Sequence, residues 1–246
     1  MLLPLEGCNA LVTGSSKGLG KALSQKLASM GCSVTLLSRN ETALKSVKES
    51  LPIQNDRQKH SYVACNLRDL LRIHGKPPSL IDNLHSSLEN KSIVINCAGL
   101  TNHSLLARLE VKEIIETIEL NLTAPIILSK LAIKPLIKSK KGTPFLPVIL
   151  NISSVLSLHG AYLPGTTAYT ALKAGILGFT RSLAEEVRGK IRVNALMPGL
   201  IRDTDMGASV PFTNDIKPVN IHEVVQKAME IICDQSATAQ CINVAK

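Results

Sequence analysis

Tryptophan is absent, and three tyrosines and three phenylalanines are the entire aromatic content of the 246 residues. A core without many large rings must be filled by Leu, Ile, Val and Ala, which suits parallel strands covered by helices on both faces. Aromatics interleaved with basic residues are missing too, and no DNA- or RNA-reading motif takes their place, so a nucleic-acid partner is not expected. No uninterrupted apolar run approaches the length of a membrane span, which argues against membrane insertion. The six cysteines (Cys8, Cys32, Cys65, Cys97, Cys233 and Cys241) lack metal-type spacing, and no metal site is expected. Four of them fall in apolar runs that read as strands, as buried reduced thiols in a reducing compartment would. Neither a secretory apolar segment nor an Arg-rich presequence is expected ahead of the first strand, which starts near Cys8. Internal repeats and low-complexity segments are also lacking.

What is present fits one large α/β domain spanning residues 1–246. Apolar residues make up 45%, and the formal net charge is +9. Such a basic surface attracts nucleic acid, anionic lipid or an acidic protein, or serves solubility alone.

The first strand candidate, Cys8 to Val12, runs directly into Thr13-Gly14-Ser15-Ser16-Lys17-Gly18-Leu19-Gly20, and a helical pattern continues from there up to Gly31. Strand, glycine-rich turn and helix form the first half of a dinucleotide-binding unit. The glycines let the backbone approach a pyrophosphate, which sits at the helix N-terminus. The second strand, Ser33 to Ser38, ends on Arg39 rather than on an acid. An arginine there suits the 2′-phosphate of NADP(H), and Lys17 offers a second cation for the same pocket.

Further strands are read at His60–Cys65, Ser92–Ile95, Val148–Ser154, Lys190–Leu196 and Cys241–Val244, with helices between them. The alternation predicts a single doubly wound, Rossmann-type parallel sheet with helices on both faces. The polar stretch 66–91, containing Lys76-Pro77-Pro78, reads as a loop insertion before and within a helix. Residues 202–220 read as a substrate lid. Asn121 interrupts an otherwise apolar helix, Val111 to Leu122. It is either a satisfied polar group or the mark of a kink whose freed carbonyl holds water beside Lys173.

Tyr169 and Lys173 are four residues apart on a predicted helix, one above the other on a single face. An ammonium beside a phenol favours the phenolate and lowers its pKa, and a tyrosine tuned in that way exchanges a proton with a carbonyl or alcohol oxygen. Ser154, delivered by the fifth strand, is placed as a second hydrogen-bond donor to that oxygen.

Together, Thr13-Gly14-x-x-x-Gly18-x-Gly20, Asn96-x-Ala98-Gly99, Asn121, Ser154, Tyr169-x-x-x-Lys173 and Pro198-Gly199 resemble the short-chain dehydrogenase/reductase superfamily in order and spacing. The chain looks most like 3-oxoacyl-[acyl-carrier-protein] reductases of the fungal mitochondrial type, through Leu105-Leu106-Ala107-Arg108, Gly178 to Val187 and Pro198 to Met206. The resemblance implies Tyr169 as general acid, Ser154 as orienter of the carbonyl, Lys173 as tuner and ribose holder, and Asn121 as proton-relay anchor. It implies NADP(H) held by Gly14, Ser16, Lys17, Gly18, Leu19, Gly20, Arg39, Asn66, Asn96, Ala98, Gly99, Tyr169, Lys173, Pro198, Gly199 and Ile201. It further implies an acidic acyl carrier protein as partner, a homodimer or homotetramer, and the mitochondrial matrix, with the cytoplasm as alternative. Two other functions stay open: a carbonyl reductase for free quinones, sugars or steroids, and a non-catalytic subunit of a heteromeric reductase. Lys138, Lys140 and Lys141, with Arg188 and Lys190, are candidates for steering the acidic carrier, or simply solvated loop charges.

The chain departs from the family pattern in three places. Ser154 lies fifteen residues before Tyr169, so the loop His159-Gly160-Ala161-Tyr162 is expected to reshape the acyl entrance. Asn66 replaces an aspartate, weakening an adenine contact. The sequence closes on Asn243-Val244-Ala245-Lys246 without Asp-Gly-Gly, which puts the geometry of the oligomer in question.

Overall fold

The computed structural model describes residues 5–72, 78–139, 145–158, 163–210 and 217–245. In chain order the elements are β1 (Asn9–Thr13), α1 (Gly18–Ser29), β2 (Ser33–Ser38), α2 (Glu41–Glu49), β3 (Ser61–Ala64), α3 (Pro78–Leu88), β4 (Ile93–Asn96), α4 (Val111–Ile118), α5 (Ala124–Ser139), β5 (Val148–Ile152), α6 (Thr167–Glu186), β6 (Arg192–Pro198), α7 (Asp205–Ala208), α8 (Ile221–Cys233) and β7 (Cys241–Val244). The strands form one seven-stranded sheet in the order β3-β2-β1-β4-β5-β6-β7, with every pairing parallel. The expected doubly wound architecture is therefore present. Strand order reverses between β1 and β4, and such a reversal opens a crevice beyond the carboxyl ends of those strands.

Alternation along each strand divides the core. Ala10 and Val12, Ile93 and Ile95, and Val148 and Leu150 pack with Leu23, Leu27, Leu44 and Val224 of α1, α2 and α8. Leu11, Val94, Ile149 and Val193 point the other way, into Leu84, Leu128, Leu136 and Leu183 of α3, α5 and α6. That is the period of two expected of a sheet covered on both faces. No aromatic ring is fully buried among the described core residues, so aliphatic side chains do the filling.

Between α4 and α5 the backbone makes a π turn, Glu119–Thr123, so the two helices run on as one rod, Val111–Ser139. By length and composition this 29-residue rod is long and apolar enough to span a membrane, which the interrupted sequence pattern concealed. Here it lies along the sheet, with Ala124, Leu128, Ala132 and Leu136 in the core.

At the start of β6, buried Arg192 donates to the carbonyl oxygens of Ile231, Ile232, Asp234 and Ala237. These are carbonyls at and just beyond the end of α8, where a helix has no partners of its own.

The cysteines correct one expectation. Only Cys241 lies within a strand; Cys8 and Cys32 immediately precede β1 and β2, and Cys65 and Cys97 come immediately after β3 and β4. All six thiols are free. Burial raises the pKa of Cys65 to about 11 and of Cys97 to about 12, which keeps both protonated and unreactive at neutral pH. Strand boundaries also shift slightly. β5 stops at Ile152, and Ser153 and Ser154 leave the sheet at its carboxyl edge. In the stretch 66–91, a 3₁₀ turn at Leu67–Arg72 comes first and α3 second; Lys76 and Pro77 fall outside the described residues.

Candidate active site

A cleft of about 720 Å³ opens at the carboxyl ends of the central strands. Its floor comes from the turns after β1, β4, β5 and β6, and its rim from α7 and the residues around it.

Gly14, Ser16, Lys17, Gly18, Leu19 and Gly20 line one end. Two of the glycines are required by space. Gly14 has φ +68°, and a methyl on it would come 2.8 Å from the Cα of Ala98; one on Gly20 would come 2.3 Å from the carbonyl oxygen of Gly14. The turn that results feeds α1, whose N-terminus has no side-chain cap and no acidic residue in its first turn. Its unpaired N–H groups and dipole are a site for an anion. Arg39 and Asn66 line the same end, with Arg39 exposed. This cradle fits a dinucleotide: donors for a pyrophosphate, and a cation beyond β2. The Asn66 side-chain carbonyl accepts the N–H of Arg68 at 3.2 Å, which leaves its amide NH₂ to act as a donor. Lys17 is already engaged, since it pairs with Asp205 of α7 across the cleft mouth and pulls the pKa of that carboxyl down.

Ala98, Gly99, Tyr169, Lys173, Pro198, Gly199 and Ile201 also line the cleft. Asn96 does not. It is buried inside the sheet, where its amide NH₂ donates to Asn151 Oδ1 at 2.7 Å and to Ser129 Oγ at 3.2 Å. Asn151 in turn donates to Thr180 Oγ1 at 2.9 Å, so the chain of amides ties β4, β5, α5 and α6 together. Against the expectation that Asn96 lines the cofactor, its side chain is spent on holding the sheet and helices together.

Asn121 lies in the π turn as a buried, satisfied polar group, and the turn supplies the irregularity expected of the helix there. Its NH₂ donates to the carbonyls of Leu100 at 2.8 Å and Thr117 at 3.0 Å, and its oxygen accepts the N–H of Leu100 at 3.3 Å. Gly99 sits between Asn121 and Lys173, for a methyl there would be 2.7 Å from Asn121 Oδ1 and 3.7 Å from Lys173 Nζ.

Lys173 is 5% exposed. Its ammonium donates to the carbonyl of Ile152 at 2.8 Å, and Ser153 Oγ donates to the Lys173 carbonyl at 2.7 Å, fixing α6 against the end of β5. Burial lowers the Lys173 pKa to about 8. Tyr169 is pushed the other way, up to about 12, by burial first; a hydrogen bond with Ser154 opposes the rise. The net shift is therefore upward, against the lowering expected from the Tyr-Lys spacing, because removal from water disfavours the phenolate more than the Ser154 hydrogen bond favours it. Tyr169 is accordingly a neutral phenol at pH 7, the protonation state a proton donor needs.

These residues have the makings of a carbonyl-reducing site. A nicotinamide dinucleotide held in the cradle would supply hydride. Ser154 lies near enough to Tyr169 to lower its pKa, and both line the cleft, so a single carbonyl oxygen there could accept from the pair. In such a site Tyr169 would give its proton as charge develops on that oxygen, and Lys173 would steady the phenolate left behind.

Sequence reasoning missed several cleft residues. Ser38, Thr101 and His103 line it with buried side-chain atoms that lack hydrogen-bond partners. Arg68 lines it too, pairing with Glu119 at 2.8 Å and Glu116 at 3.1 Å, which joins the Asn66 turn to the π turn. Only the position of Ser38 at the end of a strand carried any signal. In the expected lid, Thr204, Asp205, Met206, Gly207, Ser209 and Val210 border the cleft, whereas 211–216 lie outside the described residues, as do His159–Tyr162 and Lys140 and Lys141. Arg188 and Lys190 precede β6 and so stand at the amino ends of the strands, away from the cleft. They do not border its mouth. Among the described residues, no three His, Cys, Asp or Glu side chains converge as for a metal.

Residues 8–215 match the model of the short chain dehydrogenase family. The chain is 35% identical to a 3-oxoacyl-[acyl-carrier-protein] reductase FabG of Chlamydia trachomatis over 82% of this chain and 76% of that one. It is 34% identical to carbonyl reductase family member 4 of Danio rerio over 82% of this chain and 78% of the relative. A solved structure of a short chain dehydrogenase/reductase family protein superposes with a TM-score of 0.83 at 22% identity, covering 98% of this chain and 97% of the other, and so shares its fold.

Proposed function

Because the chain belongs to the short-chain dehydrogenase family of oxidoreductases, we propose that it reduces a 3-oxoacyl-[acyl-carrier-protein] thioester to the 3-hydroxyacyl thioester with NADPH, a step of fatty acid synthesis. The observation that carries this reading is the convergence of Ser154, Tyr169 and Lys173 with the uncapped start of α1 in one cleft. The relatives named as 3-oxoacyl-[acyl-carrier-protein] reductases supply the substrate class. Arg39, in place of an acid after β2, supports NADPH over NADH. A net charge of +9 favours encounter with an acidic carrier protein. Exposed Val111, Ile115, Ile118 and Ile126 along the α4–α5 rod support a homodimer or homotetramer. Residence in the mitochondrial matrix, or alternatively the cytoplasm, rests on the likeness to reductases of that compartment, and cell fractionation decides between them.

A second reading, reduction of free small carbonyl compounds, is favoured by the carbonyl reductase relative. The test is a panel with NADPH and NADH that compares carrier-bound 3-oxoacyl thioesters of several lengths with quinone, steroid and sugar ketones. Higher kcat/KM on the carrier-bound thioesters supports the first reading, and the reverse order supports the second. No turnover by the homomeric protein would leave the non-catalytic role.

A further inference from the structure

Among the described residues, five buried side-chain polar atoms have no hydrogen-bond partner: Ser38 Oγ, Thr101 Oγ1, both ring nitrogens of His103, and Arg192 Nε. Arg192 lies at the far end of the sheet and spends its other nitrogens on α8. The remaining four atoms all belong to residues lining the one cleft. Unsatisfied buried polar groups are rare in folded chains, and a cluster of them facing a cleft is a place where water or a ligand's own polar groups can pair with them. Ser38, beside Arg39, falls to the dinucleotide. Thr101 and His103 do not.

These two stand on the loop that leaves β4. At its start, Gly99 is wedged between Asn121 and Lys173. At its end, Ser104 donates its N–H to the carbonyl of Gly165 at 3.2 Å, four residues before Tyr169. Pinned at both ends to catalytic elements, the loop is a fixed wall of the substrate half. His103 is four residues from Gly99, so its main chain stands at most about 14 Å from it. Val155, Leu156 and Leu163, which border Ser154 and Tyr169 in the chain, line the same cleft and are apolar. A substrate there meets hydrocarbon together with three unspent polar atoms.

Burial lowers the pKa of His103, so at neutral pH its ring carries one N–H donor and one acceptor lone pair. The Thr101 hydroxyl can both donate and accept. A quinone, a ketone or a simple ester offers acceptors only and would leave the imidazole lone pair bare. A secondary amide offers an N–H and a carbonyl together, the complement of a neutral imidazole.

We propose that Thr101 and His103 bind a secondary amide carried on the thiol arm of the substrate, so that the cleft selects amide-bearing thioesters over thioesters of plain alkyl thiols. The proposal rests on the thioester reading above and adds which part of the substrate is read and by which side chains.

Two 3-oxobutanoyl thioesters test it, the S-ethyl compound and the S-(2-acetamidoethyl) compound, which differ by one acetamido group. The ratio of their kcat/KM values is measured for the parent enzyme and for His103→Phe, His103→Gln and Thr101→Val. The parent should favour the acetamidoethyl thioester by about tenfold or more, as one hydrogen-bonded group can provide. The ratio should collapse towards one in His103→Phe, fall part-way in Thr101→Val, and recover in His103→Gln, whose side-chain amide again offers a donor and an acceptor. A ratio near one in the parent, or a ratio the substitutions leave intact, overturns the proposal while the thioester reading stands. If the parent reduces neither thioester but does reduce other ketones, both fall. Should His103→Phe fail to fold, Thr101→Val and His103→Gln carry the same comparison.

Discussion

The ammonium of Lys173 lies 5.6 Å from the centre of the Tyr169 ring and donates to the main-chain oxygen of Ile152. The pair four residues apart thus shares a face of α6, as helix geometry requires, but the cation is anchored to β5 and not to the phenol.

The burial of this cation has a consequence for stability against pH. In the unfolded chain Lys173 holds its proton up to about 10.5, and in the folded chain only up to about 8. Below pH 8 both forms are protonated, and the folded state bears the full cost of a buried cation. Between those values the unfolded chain binds more protons, so this residue's contribution to stability improves as pH rises. Tyr169 acts in a separate, higher window. Its folded pKa of about 12 exceeds the ordinary 10, so its stabilising share is lost only above pH 10. Melting temperatures of the cofactor-free parent and of Lys173→Met, measured from pH 7.5 to 9.5, should show the parent gaining on the variant. A constant difference would exclude the buried cation.

Tyr169→Phe removes the proton donor and leaves the ring. Turnover should drop by at least about a hundredfold, the usual weight of general acid catalysis. NADPH affinity, measured by fluorescence titration, should stay within a few-fold. Near-normal turnover removes Tyr169 from the mechanism.

Arg39→Asp places a negative charge where a 2′-phosphate is expected. Binding of NADPH should weaken far more than binding of NADH in paired titrations. Equal losses would show that Arg39 does not read the phosphate.

Asn96→Ala should act on the fold. It removes the donor to Asn151 in a fully buried chain of amides, a loss of about 1–3 kcal/mol. Urea unfolding should register that loss, while Kd for NADPH in the folded fraction holds. A selective drop in NADPH affinity would return Asn96 to the cofactor site.

Much of the fold was legible because strands and helices advertise their periods and because glycine, proline and the Tyr-Lys pair sit at fixed points of the alternation. The hydrophobic pattern announced two-sided burial, and Ala10, Leu11 and Val12 do divide between the two faces. Directions of side chains at strand ends were less legible. Asn96 and Ala98 are two residues apart, yet one is locked in the sheet and the other lines the cleft, because β4 ends between them. The pairing of Lys17 with Asp205 spans 188 residues, beyond any local pattern. Thr101 and His103 carried no signal at all, since an unsatisfied atom becomes visible only once its surroundings have folded.

A π turn fits one more residue into a rod than an α-helix would. Glu119–Thr123 is thus equivalent to a one-residue insertion kept in the middle of a helix. Deleting a single residue there, Leu122 for instance, would let the rod close as unbroken α-helix and swing its N-terminal half by about a quarter turn relative to its C-terminal half. Asn121 would leave Leu100, and Arg68 would lose its register with Glu119. Such a deletion mutant should keep its helical circular dichroism, bind NADPH and turn over poorly. The extra residue then serves activity and not architecture, and frame length along this rod becomes a constraint as strict as the identity of any catalytic side chain.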